Sequence, residues 1–333
     1  MLDLVFANNR RGHVGSYVDT LCHILDAKPL YRGNLLWTVI RLLSARSLIF
    51  AGVDDCIPMF CVVSLVRSAV FRKTSGLFVR PHSCFEKGYA GRTKRMLFQM
   101  LRRNPKISVT SIIPFTIDRR IRHVARYWIY DPQLWDLTMG NIVAPTAPTS
   151  DLSEAVTRAG NGRQIVLFLG HLTPRKGFHS FVNTWVNNHK LRDSFLFVAA
   201  GGVSSACKQD AARFESASGY LLNENLSDSE MLSLYSAADL VWCNYSPSYD
   251  QASGIFGRAF QYGKTCLIRD GSRLSKLALQ IGASFFEVEE HGRLMVDYAV
   301  PPNFQEQERL NSIKHLYDVS ARKLRIMNGV MFG

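Results

Sequence analysis

Two short stretches of this 333-residue chain carry the side chains best suited to hold a charged ligand. The first, Leu167-Phe-Leu-Gly-His-Leu-Thr-Pro-Arg-Lys-Gly177, reads as an apolar strand, a short loop and the start of a helix. His171 and the adjacent cations Arg175 and Lys176 sit in that loop. A guanidinium fork beside an ammonium suits a diphosphate, which offers several acceptor oxygens and about two or three negative charges. A basic surface turn is the plainer reading of the same pair. The second stretch, Tyr249-Asp-Gln-Ala-Ser-Gly-Ile-Phe-Gly-Arg-Ala-Phe-Gln-Tyr-Gly-Lys264, puts Ser253 and Gly254 at the first positions of a helix, with Ile255 next. Unpaired backbone N–H groups at such a tip attract anions, and glycine lets a phosphate approach closely; a simple N-cap leaves the same pattern.

Several other chemistries lack their residues. Neither Gly-x-Ser-x-Gly nor Gly-x-x-x-x-Gly-Lys-Ser/Thr occurs, which argues against a serine-hydrolase elbow and an NTPase phosphate loop. No Asp-x-Asp triplet is present; Asp54-Asp55 comes nearest without that spacing, so no metal site is expected. The seven cysteines are scattered and include no Cys-x-x-Cys pair, which fits reduced, mostly buried thiols.

These residues must be positioned by a scaffold, and its class is legible. Hydrophobic residues make up 47% of the chain, enough for two globular cores in a chain of this length. Apolar strand-like runs alternate with helix-like segments throughout, the pattern of an α/β protein with parallel sheets. Strands are expected at 4–7, 48–52, 77–80, 107–111 and 141–144 in the first half, with helices at 14–27, 59–72 and 93–103. In the second half strands are expected at 164–170, 194–202, 239–243, 265–268 and 284–288, with a helix at 178–188. Residues 144–151 carry two prolines and few large apolar groups, so they mark a linker between domains spanning 1–150 and 151–333. One or two closing helices are expected over 306–327.

Charge is distributed unevenly between the halves. Residues 1–150 hold 21 Lys+Arg against 9 Asp+Glu, whereas 151–333 hold 19 against 18, so nearly all of the net charge of +13 lies in the first half. Such a field favours an anionic partner, although a solvated basic face is the bland alternative. Residues 87–106 interleave basic side chains with Met96, Leu97, Phe98, Met100 and Leu101. Those apolar groups cover too broad an arc for one interfacial face, so part must pack inside while the rest could meet anionic lipid. The longest nearly apolar run, 56–66, is far below the roughly 20 residues that span a bilayer. No signal-peptide pattern opens the sequence, and a cytoplasmic location is expected, with peripheral contact at the inner membrane face.

The order of these motifs, with Ser-Glu-Met-Leu-Ser-Leu-Tyr-Ser-Ala-Ala-Asp239 between the two charged stretches, resembles the donor domain of the retaining family 4 glycosyltransferases of the GT-B fold over residues 160–290. The resemblance implies two Rossmann-like doubly wound domains facing across a cleft, an acceptor-side one first and a nucleotide-sugar one second. It implies hexosyl transfer from a nucleotide sugar to a glycan or lipid-linked acceptor, as in surface polysaccharide or glycolipid synthesis, with no metal and no other cofactor. His171, Arg175, Lys176, Ser253, Gly254 and Ile255 would hold the donor diphosphate. Gly12 and Gly15 match the family's glycine-rich loop, and His82 matches a histidine that touches the donor sugar near the reacting carbon. The family's two glutamates are missing; Asp250 or Gln251 stands near the first of them, with Asp250 taken as the second catalytic candidate, while Arg258 stands near the other.

Two competing readings come from other classes. A catalytically inactive nucleotide- or carbohydrate-binding subunit is suggested by the missing glutamates. A nucleic-acid-binding protein would fit the charge, but no recognisable module accompanies it, so no nucleic-acid partner is expected.

Overall fold

The computed structural model describes residues 3–10, 13–251, 253–289 and 305–328. The chain divides into two compact units: Met1–Asn141 with Lys314–Gly333, and Ile142–Ile313.

The first unit runs β1 (Leu4–Ala7), α1 (His13–Leu25), β2 (Lys28–Tyr31), α2 (Leu35–Ser44), β3 (Leu48–Phe50), α3 (Ile57–Ala69), β4 (Thr74–Phe78), α4 (Tyr89–Arg103), β5 (Ile107–Ser111) and β6 (Tyr127–Trp128). Its strands form a parallel sheet in the order β2-β1-β3-β4-β5-β6. The central strands are buried along their whole length, as expected of a sheet covered by helices on both faces.

One buried side chain ties this unit together. Arg67 on α3 is wholly inaccessible. Its Nε donates to Thr74 Oγ1 at 2.9 Å, and its two terminal nitrogens donate to the carbonyls of Leu42 (2.9 Å), Leu43 (3.3 Å), Ala45 (2.8 Å), Arg46 (3.3 Å) and Lys73 (2.8 Å). The last carbonyls of α2 carry the negative end of the helix dipole and would otherwise lack partners, so this cation caps α2 while locking it to α3 and β4. Burial, with Arg72 adding to it, lowers the guanidinium to about 10.

The second unit runs α5 (Asp151–Gly160), β7 (Gln164–Leu169), α6 (Phe178–Asn187), α7 (Leu191–Ser194), β8 (Phe195–Ala200), α8 (Lys208–Ser216), β9 (Tyr220–Leu222), α9 (Asp228–Ala237), β10 (Leu240–Cys243), α10 (Gly254–Gln261), β11 (Thr265–Arg269), α11 (Arg273–Ile281) and β12 (Phe285–Val288). The strand order β12-β11-β10-β7-β8-β9 is the doubly wound Rossmann arrangement, with its reversal between β7 and β10. An aromatic cluster fills the space under this sheet: Phe168, Phe178, Phe181, Trp185, Phe197, Phe214 and Trp242 are all buried. A single helix, α12 (Glu306–Asn328), follows.

Where expectation and structure differ, edges and termini account for most of it. Residues 141–144 form no strand; the sheet ends instead on the two-residue β6. The short strands β2, β6 and β9 went unforeseen because each lies at a sheet edge and lacks a fully buried run, and Pro29 fits β2 only because it is at an edge. The strand expected at 77–80 is Thr74–Phe78, so His82 lies in a short 3-10 turn, Pro81–Cys84, beyond its end. The tail expected to close the second half contributes Lys314–Gly333 to the first unit, and the division at the linker falls between Asn141 and Ile142 rather than at 150.

Candidate functional site

In a doubly wound sheet, the loops at the carboxyl ends of the strands flanking the reversal meet over a crevice. Here those are the loop after β7, residues 170–177, and the loop after β10, residues 244–253. Both charged stretches of the sequence therefore belong to one place in the second unit.

The first loop is built around glycine. Gly170 has φ +89°, and a side-chain carbon there would stand 2.9 Å from Lys176 Nζ and 3.9 Å from Ile255 Cδ1. The lysine thus folds back over its own loop toward the first turn of α10. Gly177, at φ +81°, leaves no room for a side chain, since a carbon there would lie 2.0 Å from the Asn244 carbonyl oxygen. Close approach of the two loops depends on that missing atom. Thr173 caps the 3-10 turn Pro174–Lys176, its hydroxyl accepting from the Lys176 N–H at 3.3 Å.

Lys176 is half-buried, with no carboxylate paired to it among the described residues. Burial pushes its ammonium below the ordinary lysine value, against a smaller opposing pull from Cys243. Arg175 behaves differently. It is exposed, and its guanidinium lies over the ring of Tyr249, 5.3 Å from the centroid, while its carbonyl accepts from the Ser246 N–H at 3.1 Å. His171 is exposed beside the turn after β8; a side-chain carbon on Gly202 would stand 3.5 Å from its Nδ1.

The second loop ends at the start of α10. Ser253 occupies the N-cap position with extended backbone, yet its side chain makes no capping bond. Its hydroxyl pairs with the buried Tyr245 hydroxyl at 2.6 Å. An N-cap serine normally answers the N–H of the second or third helical residue, so this diversion leaves the helix start without its usual side-chain acceptor. Gly254 and Ile255 at the positive end of α10 are half-buried, and the Ile255 side chain and the Lys176 ammonium approach the same face of Gly170.

Asp250 is held by cations. Its carboxylate accepts the Arg273 N–H at 2.9 Å and lies 3.3 Å from Arg269 and 3.5 Å from the Arg273 guanidinium. It therefore anchors the second loop to β11 and to the N-terminus of α11. Tyr245, Tyr249, Arg269 and Arg273 received no role from sequence alone; the adjacency of Tyr249 and Asp250 in one motif was the available signal.

In the first unit, His82 is largely buried, with Nδ1 3.7 Å from Asp118 Oδ2. That carboxylate also holds Arg120 at 2.7 Å. Gly15 lies within the first turn of α1, where a side-chain carbon would come 3.1 Å from the Arg10 carbonyl oxygen. Gly12 is outside the described residues. Among the described residues, no three His, Cys, Asp or Glu side chains group as a metal ion would require. No helix among them is long and apolar enough to cross a membrane.

The strand order defines a doubly wound α/β protein, and comparison with solved structures specifies the fold as GT-B. The chain is similar to HepE from Anabaena in complex with UDP, at 11% identity, a TM-score of 0.66 and 98% coverage of both chains. It is also similar to a glycosyltransferase from Rickettsia africae, at 11% identity, a TM-score of 0.59 and coverage of 98% of this chain and 97% of that one. A third similar structure is the E. coli trehalose-6-phosphate protein bound with UDP-2-fluoro glucose, at 8% identity, a TM-score of 0.59 and the same coverages. No protein-family model matches the chain, and no curated protein matches its sequence.

Proposed function

We propose that this protein is a glycosyltransferase that takes a hexose from a nucleotide sugar, with retention at the reacting carbon, and passes it to a glycan or lipid-linked acceptor. One observation carries the reading: a half-buried ammonium, with no carboxylate paired to it among the described residues, shares the face of Gly170 with the first turn of a helix whose N-cap serine bonds Tyr245 instead of the helix. Breaking the sugar–phosphate bond leaves negative charge on the departing diphosphate. Fixed positive groups that need not reorganise stabilise that charge as it develops, and they do so without a metal ion. Lys176 and the amides of Gly254 and Ile255 supply them in this reading, with Arg175 and His171 at the rim and Ser253 and Asp250 holding the loop in place. The second unit is the donor domain and the first the acceptor domain. Neighbours solved with UDP and with UDP-glucose support uracil as the first donor base to test.

For His82 and the Gly12–Gly15 loop the support is the family resemblance. His82→Ala is expected to lower turnover strongly with the melting temperature unchanged; near-normal turnover would remove its catalytic role.

A second reading, a binding subunit without turnover, is favoured by the engagement of Asp250 with Arg269 and Arg273 where the family has a glutamate. A thermal-shift series with UDP, GDP, ADP and UDP-glucose, followed by donor hydrolysis and transfer assays, separates the two. A ligand that binds only the folded protein raises its melting temperature. Stabilisation with turnover supports the enzyme, stabilisation without turnover the subunit, and no response to any nucleotide defeats both. The acceptor side of the proposal includes peripheral contact of the basic first unit with an anionic inner membrane surface, in surface polysaccharide or glycolipid synthesis.

A further inference from the structure

Two adjacent helices of the first unit are apolar on the outside as well as the inside. On α2, Thr38 and Leu42 face the core, yet Leu35, Leu36, Trp37 and Ile40 are exposed, Leu36 by 71%. On α3, Phe60, Val63, Ser64 and Arg67 are buried while Val62, Leu65 and Val66 face solvent, and Val70 and Phe71 continue the exposed row past its end. Val62, Val66 and Val70 recur every fourth residue, which makes an outward stripe rather than scattered exposure. The helices pack against each other, and Arg67 ties the end of α2 to α3, so the two stripes belong to one rigid platform.

Phe71 makes the exposure harder to dismiss. It sits at φ +60°, the left-handed position after a helix end that glycine usually takes, with its N–H bonded to the Ser68 carbonyl and the Arg72 N–H bonded back to the Arg67 carbonyl. A bulky residue there costs about 1 kcal/mol or more in backbone strain, and its ring, 81% exposed, recovers little by burial.

The charge around this face selects the occupant. Residues 27–53 and 56–85 contain no Asp or Glu; Asp54 and Asp55 between them pair with Arg80, Asp3 pairs with Arg46 and Arg67 is buried, which leaves Lys28, Arg32, Arg41, Arg72 and Lys73 as the remaining cations of these segments. The two exposed aromatic rings each carry a cation: Arg41 lies 4.9 Å from the Trp37 centroid and Lys106 lies 5.9 Å from that of Phe71. A second copy of the same face would bring like charges together. An anionic lipid surface accepts apolar side chains among its acyl chains and cations at its headgroups, with tryptophan suited to the boundary.

We infer that the α2–α3 face, with Phe71, is the surface by which this protein docks on anionic membranes. The inference rests on the membrane contact proposed above and not on the transfer chemistry. It differs from the expectation that residues 87–106 supply the contact: on α4, Phe98 and Leu101 are buried, and Met96 and Met100 offer a narrower apolar strip.

Flotation of the full chain with vesicles of phosphatidylcholine, alone or mixed with phosphatidylglycerol, tests it. The wild type is expected to float with the mixed vesicles only. Leu36→Glu, which adds an acidic group favourable to the first turn of α2, should reduce the bound fraction by about tenfold. Phe71→Gly should weaken binding while raising the melting temperature, a combination that a merely structural role for the ring would not give. Met96→Glu with Met100→Glu should change binding little. If the wild type ignores mixed vesicles, both the docking surface and the membrane contact fail. If Leu36→Glu and Phe71→Gly float as well as wild type while the α4 variant does not, the contact stands and this surface is wrong. A dimer in light scattering that Leu36→Glu splits would assign the face to a second copy and overturn the inference.

Discussion

Each unit carries a buried or half-buried cation with no carboxylate paired to it among the described residues, and the two are treated in opposite ways. Arg67 in the first unit is fully enclosed and finds six oxygen acceptors, five of them backbone carbonyls. Lys176 in the second unit folds over Gly170 of its own loop, on the face that the Ile255 side chain of α10 also approaches, and has no paired carboxylate among the described residues. Desolvation lowers the proton affinity of both. A cation whose donors are all answered is part of the scaffold. One desolvated without such acceptors among the described residues is unfavourable in the free protein, and in the proposed function an anionic ligand would relieve it. Burial alone therefore does not single out Lys176 for the proposed role; burial without acceptors does.

Substitution should separate the two roles cleanly. Arg67→Met is expected to cost about 3–5 kcal/mol of stability by stranding buried carbonyls, read as a fall in melting temperature of roughly 10 °C, with nucleotide affinity intact in the folded fraction. Lys176→Met should leave the melting temperature of the free protein unchanged or raised, yet weaken UDP binding about 10- to 100-fold, as loss of a charged hydrogen bond does. If Lys176→Met destabilised the free protein as Arg67→Met does, the contrast would collapse.

The pH dependence sharpens the same point. Because burial depresses the lysine in the free protein, and a bound diphosphate would raise it again, binding takes up a proton in the alkaline range. Affinity for UDP should be full below the free-protein value and fall as pH rises through the higher bound-state value. Calorimetry in buffers of different ionisation enthalpy checks the proton uptake, and Lys176→Met should abolish it. The smallest effect is expected at the rim: Arg175→Ala or Tyr249→Leu should each cost about 1 kcal/mol or less in UDP affinity, since the exposed guanidinium already rests on an aromatic ring. Equal losses for Arg175→Ala and Lys176→Met would show that burial confers no special role.

Much of the second unit was legible because its central strands are continuous apolar runs followed by glycine or other turn residues. The runs at 164–170 and 239–243 appear as β7 and β10, and the helix expected from residue 178 starts there. Of the edge strands, β12 was legible at 284–288, whereas β2, β6 and β9 were not, since such short half-exposed strands leave no periodic signal. The expected membrane segment shows the same limit. A helical pattern in 87–106 identifies a basic amphipathic helix but not which apolar groups find a core partner, and Phe98 and Leu101 do.

By itself the sequence determined the alternation of strands and helices, the confinement of excess charge to the first half, and the two loops that carry His171, Arg175, Lys176, Ser253, Gly254 and Ile255. These are local properties, fixed by hydrophobic period, turn chemistry and composition. Only the tertiary structure decided that Lys176 turns inward while Arg175 stacks outward, that Ser253 bonds Tyr245 instead of its own helix, and that Asp250 is held by Arg269 and Arg273. Those outcomes depend on which distant residues the strand order brings within a few ångströms, and no spacing along the chain encodes that distance.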